Sequence, residues 1–195
     1  GARQVVYILQ GLQDQGVSNV LVCPPESAIA TAALEYAEVR EVRLSGDLDP
    51  GFVWRLLRVI RECQPDILHL HSRRGADIYG GIAARVAGIP VVLSRRVDNP
   101  EPRWWSAVKY RLYDRVITIS EGILDVLRTQ GVPPEKLVCV HSTVDPEPYQ
   151  HGCARSEFRR EFGLSADSLV VGMIAQFIER KGHHVLLEAL PRVLE

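Results

Sequence analysis

The chain has 195 residues, 23 Lys plus Arg against 24 Asp plus Glu, and a net charge of −1. With 46% hydrophobic and 24% charged residues, it has the balance of a globular protein and not of a disordered one. Near neutrality argues against a general nucleic-acid binder, which is usually basic. No apolar run reaches the roughly 18 residues of a membrane span. Four scattered cysteines, Cys23, Cys63, Cys139 and Cys153, form no C-x-x-C pair. They point to free thiols, not to a disulfide framework or structural zinc.

In chain order, residues 4–12 (QVVYILQGL) read as an amphipathic helix ending near Gly16, and Asn19 to Cys23 as a buried strand. Residues 26–36 read as helix and 38–43 as a short strand of alternating exposure. Phe52, Val53, Leu56, Leu57 and Ile60 recur at helical spacing within 50–63. Asp66 to His71 is the next strand, and 75–87 a helix with Gly88 at its C-cap and Pro90 beyond. Gly80 and Gly81 weaken that helix, so close packing against a sheet is the expected reason for them. Strands follow at 91–94, 116–119 and 137–140, with helices at 103–112 and 121–129, the latter capped by Ser120.

Strands alternating with helices predict an α/β fold, doubly wound around a mostly parallel sheet. Strands apolar nearly throughout fit a sheet covered on both faces. Such sheets bind ligands beyond the carboxyl ends of their strands. Residues 1–141 are expected to form this Rossmann-like domain, and 142–167 a linker with a short helix. Residues 168–195 read as the opening β-α unit of a second domain, with a strand at 169–174 and a helix at 183–194.

Three strand-end clusters carry candidate chemistry. His71-Ser72-Arg73-Arg74-Gly75 stands between a strand and a helix, where free backbone N–H groups favour anions. A capped, solvated turn is the plainer alternative. His71 can exchange a proton. His69 shares its strand face, but no third ligand has suitable spacing, so no metal is expected. Arg95-Arg96 follow another strand end; there the alternative is an Arg–Asp pair fixing a loop. Lys181-Gly182 precede a helix N-terminus, an arrangement able to neutralise a diphosphate. Residues 103–113 (RWWSAVKYRLY) mix basic and aromatic side chains, a pattern suited to a membrane surface. The simpler expectation is rings packed on the sheet and basic residues in water.

Together these segments resemble retaining glycosyltransferases of family four, which have the two-domain GT-B fold. Gly1-Ala2-Arg3-Gln4 is similar to the end of the family's glycine-rich loop, and Asp66 to Ser72 to its strand ending in an active-site histidine. Residues 116–121 and 131–137 resemble the end of its first domain, Ser142-Thr143-Val144-Asp145 its Asn-Gly-Val-Asp, and Lys181-Gly182 with Val185 to Ala189 its donor-domain opening. The resemblance implies sugar transfer from a nucleotide-sugar donor with retention, without metal or other cofactor. It implies His71 as the catalytic residue, and Lys181, Gly182, Gln176 and Gly1 on the donor. Ser72, Arg73, Arg95 and Arg96 would bind a sugar or lipid-linked acceptor. Gln176 stands where the family usually has arginine, which removes a charge from the donor site. The family's first strand and paired glutamates are not in the chain, so the chain alone is expected to be inactive. The expected setting is the cytoplasm, at the inner face of the membrane, with peripheral contact through 103–113 and no nucleic-acid partner.

Two other functions fit the pattern: a nucleotide-sugar 2-epimerase of the same architecture, and a non-catalytic module holding an anion or a sugar. No G-x-G-x-x-G follows a strand, which speaks against a nicotinamide-dependent dehydrogenase.

Overall fold

The computed structural model describes residues 1–71, 75–150, 152 and 154–194, with only the backbone at Pro148 and Leu194. The chain divides into two compact units, Gly1–Val144 and Asp145–Glu195.

In the first unit, helix α1 (Ala2–Gln13) leads to strand β1 (Val20–Cys23), helix α2 (Ala28–Ala32) and strand β2 (Glu38–Glu41). β1 and β2 pair in parallel, Val20 opposite Glu38. α2 is shorter than the expected 26–36 helix. The chain has to turn after Ala33 to bring Glu38 beside Val20, and turn bonds from Tyr36 and Ala37 to the Ala33 carbonyl do so. β1 is half-covered, not buried, with only Cys23 fully enclosed. Val5 and Leu9 of α1 close on Ala33, Leu21 and Val39 to form a small core.

Helix α3 (Gly51–Cys63), strand β3 (Leu68–Leu70), helix α4 (Ala76–Ala87), strand β4 (Val91–Arg95), helix α5 (Arg103–Lys109), strand β5 (Arg115–Thr118), helix α6 (Glu121–Thr129) and strand β6 (Leu137–Cys139) follow. β3 to β6 form a four-stranded sheet in sequential order, parallel throughout. Val91, Leu93, Val116, Tyr110, Tyr113, Leu127 and Val132 form one core cluster. Phe52, Leu56, Leu57 and Ile60 of α3 form another with Ala83 of α4. The doubly wound, mostly parallel reading holds for this unit.

Local signals explain the element ends. Gly88 caps α4 in the left-handed conformation (φ 71°), which glycine adopts without strain. Ser120 caps α6, its Oγ accepting from the Ile123 N–H at 3.4 Å. A Cβ at Gly80 would lie 2.5 Å from a Leu70 methyl, and one at Gly81 3.0 Å from Leu112. The glycine pair therefore seats α4 against β3 and the segment before β5.

The second unit carries helices α7 (Glu147–Gln150), α8 (Arg155–Glu161) and α9 (His183–Leu194). The strand expected at 169–174 is absent: no strand lies beyond Cys139 among the described residues. A strand exists only through bonds to a neighbour, and without one Leu169 stays 72% exposed.

Candidate functional site

The site forms beyond the carboxyl ends of the parallel strands in the first unit. β3 ends at Leu70, so His71 is the first residue past it; Arg96 is the first past β4. Leu70 pairs with Leu93 across the ladder, so the Arg96 backbone stands two residues further along than that of His71. His69 and His71 lie on one side of the strand, their ring centroids 3.9 Å apart. The His69 ring is anchored by a 2.9 Å bond between its Nε2 and Ser94 Oγ on β4. Arg96 reaches towards the end of the unit, where its Nη1 lies 3.5 Å from Ser142 Oγ.

Burial, together with the charge of Arg96, holds both histidines neutral. His69 is lowered to about 4 by burial first and Arg96 second. Burial, then His69, then Arg96 bring His71 to about 3. His71 is therefore an uncharged imidazole near neutral pH. It can give or take a hydrogen bond to a ligand but is a poor source of a proton. Its Nδ1 is buried and has no partner among the described residues, and so has Arg96 Nε. Leaving such atoms unpaired costs roughly 1–3 kcal/mol each. A ligand with hydroxyls or phosphate oxygens would satisfy both.

The other expected site residues are distributed as follows. Arg95 is buried and turns inward. Its Nε donates to the Val97 carbonyl at 3.0 Å, Nη2 to the Asn99 carbonyl at 2.6 Å, and Nη1 to Glu101 at 3.2 Å. Those bonds shape the 96–101 loop, as in the alternative reading of this cluster, but with Glu101 and not an aspartate as the acidic partner. Ser72 and Arg73 lie outside the described residues. Gly75, not a serine, occupies the cap position of α4. Gly1 sits exposed at the cap position of α1. Gln4, one turn on, is held by a reciprocal pair: its amide nitrogen donates to the Thr143 carbonyl, and its Oε1 accepts from the Thr143 N–H at 3.1 Å.

In the second unit, Gln176 and Lys181 are exposed. Lys181 ends a 3-10 turn over Glu179–Lys181, and Gly182 takes φ 70° to lead into α9. Phe177 stacks on His183 at 4.8 Å.

Sequence reasoning missed one feature and misread another. Lys109 is not in water. It is 5% exposed and bridges Asp77 at 2.8 Å and Glu101 at 2.9 Å. Tyr110 donates to the same Glu101 at 3.3 Å. Burial pushes the Glu101 carboxyl up, but bonding to Lys109, aided by Arg95, holds it below the usual carboxylate range. Ser106, Lys109, Tyr110 and Tyr113 form the inward stripe, and a lysine at that spacing was the available signal. The basic-aromatic surface over 103–113 is accordingly reduced. Trp104 is 71% exposed and Val108 is exposed, whereas Lys109, Tyr110 and Tyr113 are interior. No helix among the described residues is long and apolar enough to cross a membrane.

A doubly wound parallel sheet with polar, partly unpaired side chains past its strand ends places this chain among the α/β folds that take ligands at that edge. The chain belongs to Glycosyltransferase Family 4, whose model matches residues 1–148. It is 27% identical over 155 residues to a GDP-mannose-dependent alpha-mannosyltransferase of Mycobacterium tuberculosis, covering 68% of this chain and 41% of that protein. It is 23% identical over 153 residues to the UDP-Gal:alpha-D-GlcNAc-diphosphoundecaprenol alpha-1,3-galactosyltransferase of Escherichia coli, covering 72% and 39%. The chain thus spans about two fifths of these relatives' length. Among solved structures, Anabaena HepE in complex with UDP matches with TM-score 0.76 at 20% identity, over 98% of this chain and 54% of that one. A glycosyltransferase from Rickettsia africae matches with TM-score 0.73 at 14% identity, over 98% and 53%. These two likenesses establish the fold, that of GT-B glycosyltransferases.

Proposed function

We propose that the chain is the acceptor side of an enzyme that transfers a sugar from a nucleoside diphosphate sugar to a hydroxyl acceptor, with retention at the anomeric carbon. Residues 1–141 form the acceptor domain, 142–167 the connection, and 168–195 the start of the donor domain. The observation that carries this reading is the neutral His71 with its unpaired Nδ1 beside Arg96, in a chain that belongs to this family. A neutral imidazole is a hydrogen-bonding partner for a sugar hydroxyl, so His71 orients and stabilises the reacting sugar and does not protonate it. Arg96, partly desolvated, adds positive charge on the acceptor side. Lys181, with Gly182 opening the helix behind it, binds the diphosphate of the donor within the donor domain. This is electrostatic catalysis, with no metal assigned a role.

The likeness of Gly1-Ala2-Arg3-Gln4 to the end of a glycine-rich loop supports a role for Gly1 in donor binding. Gln176 supplies an amide donor in place of an arginine. The exposed Trp104 and Val108 suit peripheral contact with a membrane presenting a lipid-linked acceptor. The test uses the full product of the gene, incubated with UDP- and GDP-sugars, with release of UDP or GDP as the readout. Nucleotide release should fall about 10²-fold or more in His71→Ala and in Lys181→Ala. Equal turnover in both variants would remove these residues from the mechanism.

A further inference from the structure

A cavity of about 270 Å³ is lined by Gly75, Asp77, Arg95, Glu101, Trp105 and Lys109 among others. We propose that it is the acceptor subsite and that it takes one neutral pyranose ring, stacked on Trp105. The proposal rests on the transferase reading above and specifies its acceptor.

Three observations carry it. The first is the charge balance. Arg95 and Lys109 face Glu101 and Asp77 in a chain of contacts at 3.2, 2.9 and 2.8 Å. Two cations and two carboxylates cancel, so the wall offers no net attraction to a phosphate or a uronate. A sugar hydroxyl both donates and accepts, so it can donate to the Glu101 carboxylate, which is the most exposed of the four charged groups. The second is the aromatic wall. Trp105 is half-buried while its neighbour Trp104 is in solvent. An indole face is electron-rich and suits the polarised C–H face of a pyranose. The third is the cavity's size and rim. The volume lies just below the roughly 300–1,000 Å³ of drug-sized pockets, which suits one ring. Gly75 holds one rim at φ 85°, where a Cβ would strike the Asp47 carbonyl at 2.6 Å. The Gly75 backbone therefore lies close against Asp47 at that rim.

The test is saturation-transfer NMR on the full-length protein with methyl α-D-mannopyranoside, -glucopyranoside and -galactopyranoside, and with methyl α-D-glucuronide as the charged control. At least one neutral pyranoside should bind. Trp105→Ala should weaken it by about fivefold or more, and Trp54→Ala, a solvent-exposed tryptophan on α3, should leave it unchanged. The glucuronide should bind more weakly than its neutral parent. Where Trp105→Ala does not fold, Trp105→Phe carries the comparison: weaker binding supports the platform, and unchanged binding overturns it. No binding of any neutral pyranoside, or a glucuronide that binds as well as glucose, also overturns it. Sugar transfer from UDP- and GDP-sugars to other hydroxyl acceptors, lipid-linked ones included, is followed separately as release of UDP or GDP. If transfer occurs while no pyranoside binds, the subsite falls and the transferase reading stands; if no acceptor supports nucleotide release, the transferase reading itself fails.

Discussion

Acidification from pH 7.5 to 5 should destabilise the first unit through His69 and His71. An unfolded imidazole titrates near ~6.5, whereas the folded values are about 4 and about 3. Over that range the unfolded chain takes up protons that the folded chain refuses. The stabilisation is complete above the unfolded pKa and is lost as pH falls below it, towards the folded values. Each pH unit below 6.5 removes ~1.4 kcal/mol per imidazole, or ~2 kcal/mol each by pH 5. Both rings retain some exposure, so the working figure for the pair is ~2–3 kcal/mol. That is a large share of a typical domain stability of ~5–15 kcal/mol. Urea unfolding at pH 7.5 and pH 5.0 measures it, with a His69→Gln, His71→Gln double variant as control. The parent should lose stability on acidification and the double variant should lose little. A parent equally stable at both pH values, or a variant that keeps the full loss, refutes the account of two buried neutral histidines.

Other perturbations should give defined results. Lys109→Met strands Asp77 in the interior, while Glu101 keeps Arg95, and should cost ~3–5 kcal/mol, read by thermal unfolding; a cost under ~1 kcal/mol would mean Asp77 is not desolvated as its burial indicates. Gly75→Ala meets both a positive φ and the Asp47 carbonyl, and should cost ~1–3 kcal/mol. Ser120→Ala removes the α6 cap and should cost ~1 kcal/mol. Trp104→Ala with Val108→Asp should abolish binding to anionic liposomes if α5 meets a membrane; binding retained at the parent level would assign that contact elsewhere.

How far the fold could be read ahead of the structure depended on whether a signal was local. Gly88 and Ser120 stop and start helices through their own backbone and hydroxyl, so both ends were legible from single residues. The four-stranded sheet was legible because β4 is apolar on both faces and its helices keep clean spacing. The segment 169–174 has the same apolar, β-branched composition, yet its strand required a neighbour that the sequence pattern could not supply. The site divided in the same way. A histidine and an arginine just past strand ends were visible as positions. The neutrality of the histidine and the unpaired nitrogens of both come from burial, which depends on packing. Arg95 and Lys109 show the limit most clearly. Charge placed them in a crevice or in solvent, and it was Asp77 and Glu101, 32 and 8 positions from Lys109 along the chain, that drew Lys109 inside.

The most direct test of the central claim is to follow the anomeric proton by NMR while the full gene product acts on a nucleotide-sugar and a simple acceptor pyranoside. The account predicts a new glycoside with the donor's own anomeric configuration, formed in step with free nucleoside diphosphate and lost in His71→Ala. An inverted glycoside would contradict the retaining mechanism. A sugar epimerised at C2 with no glycoside formed would contradict transfer altogether.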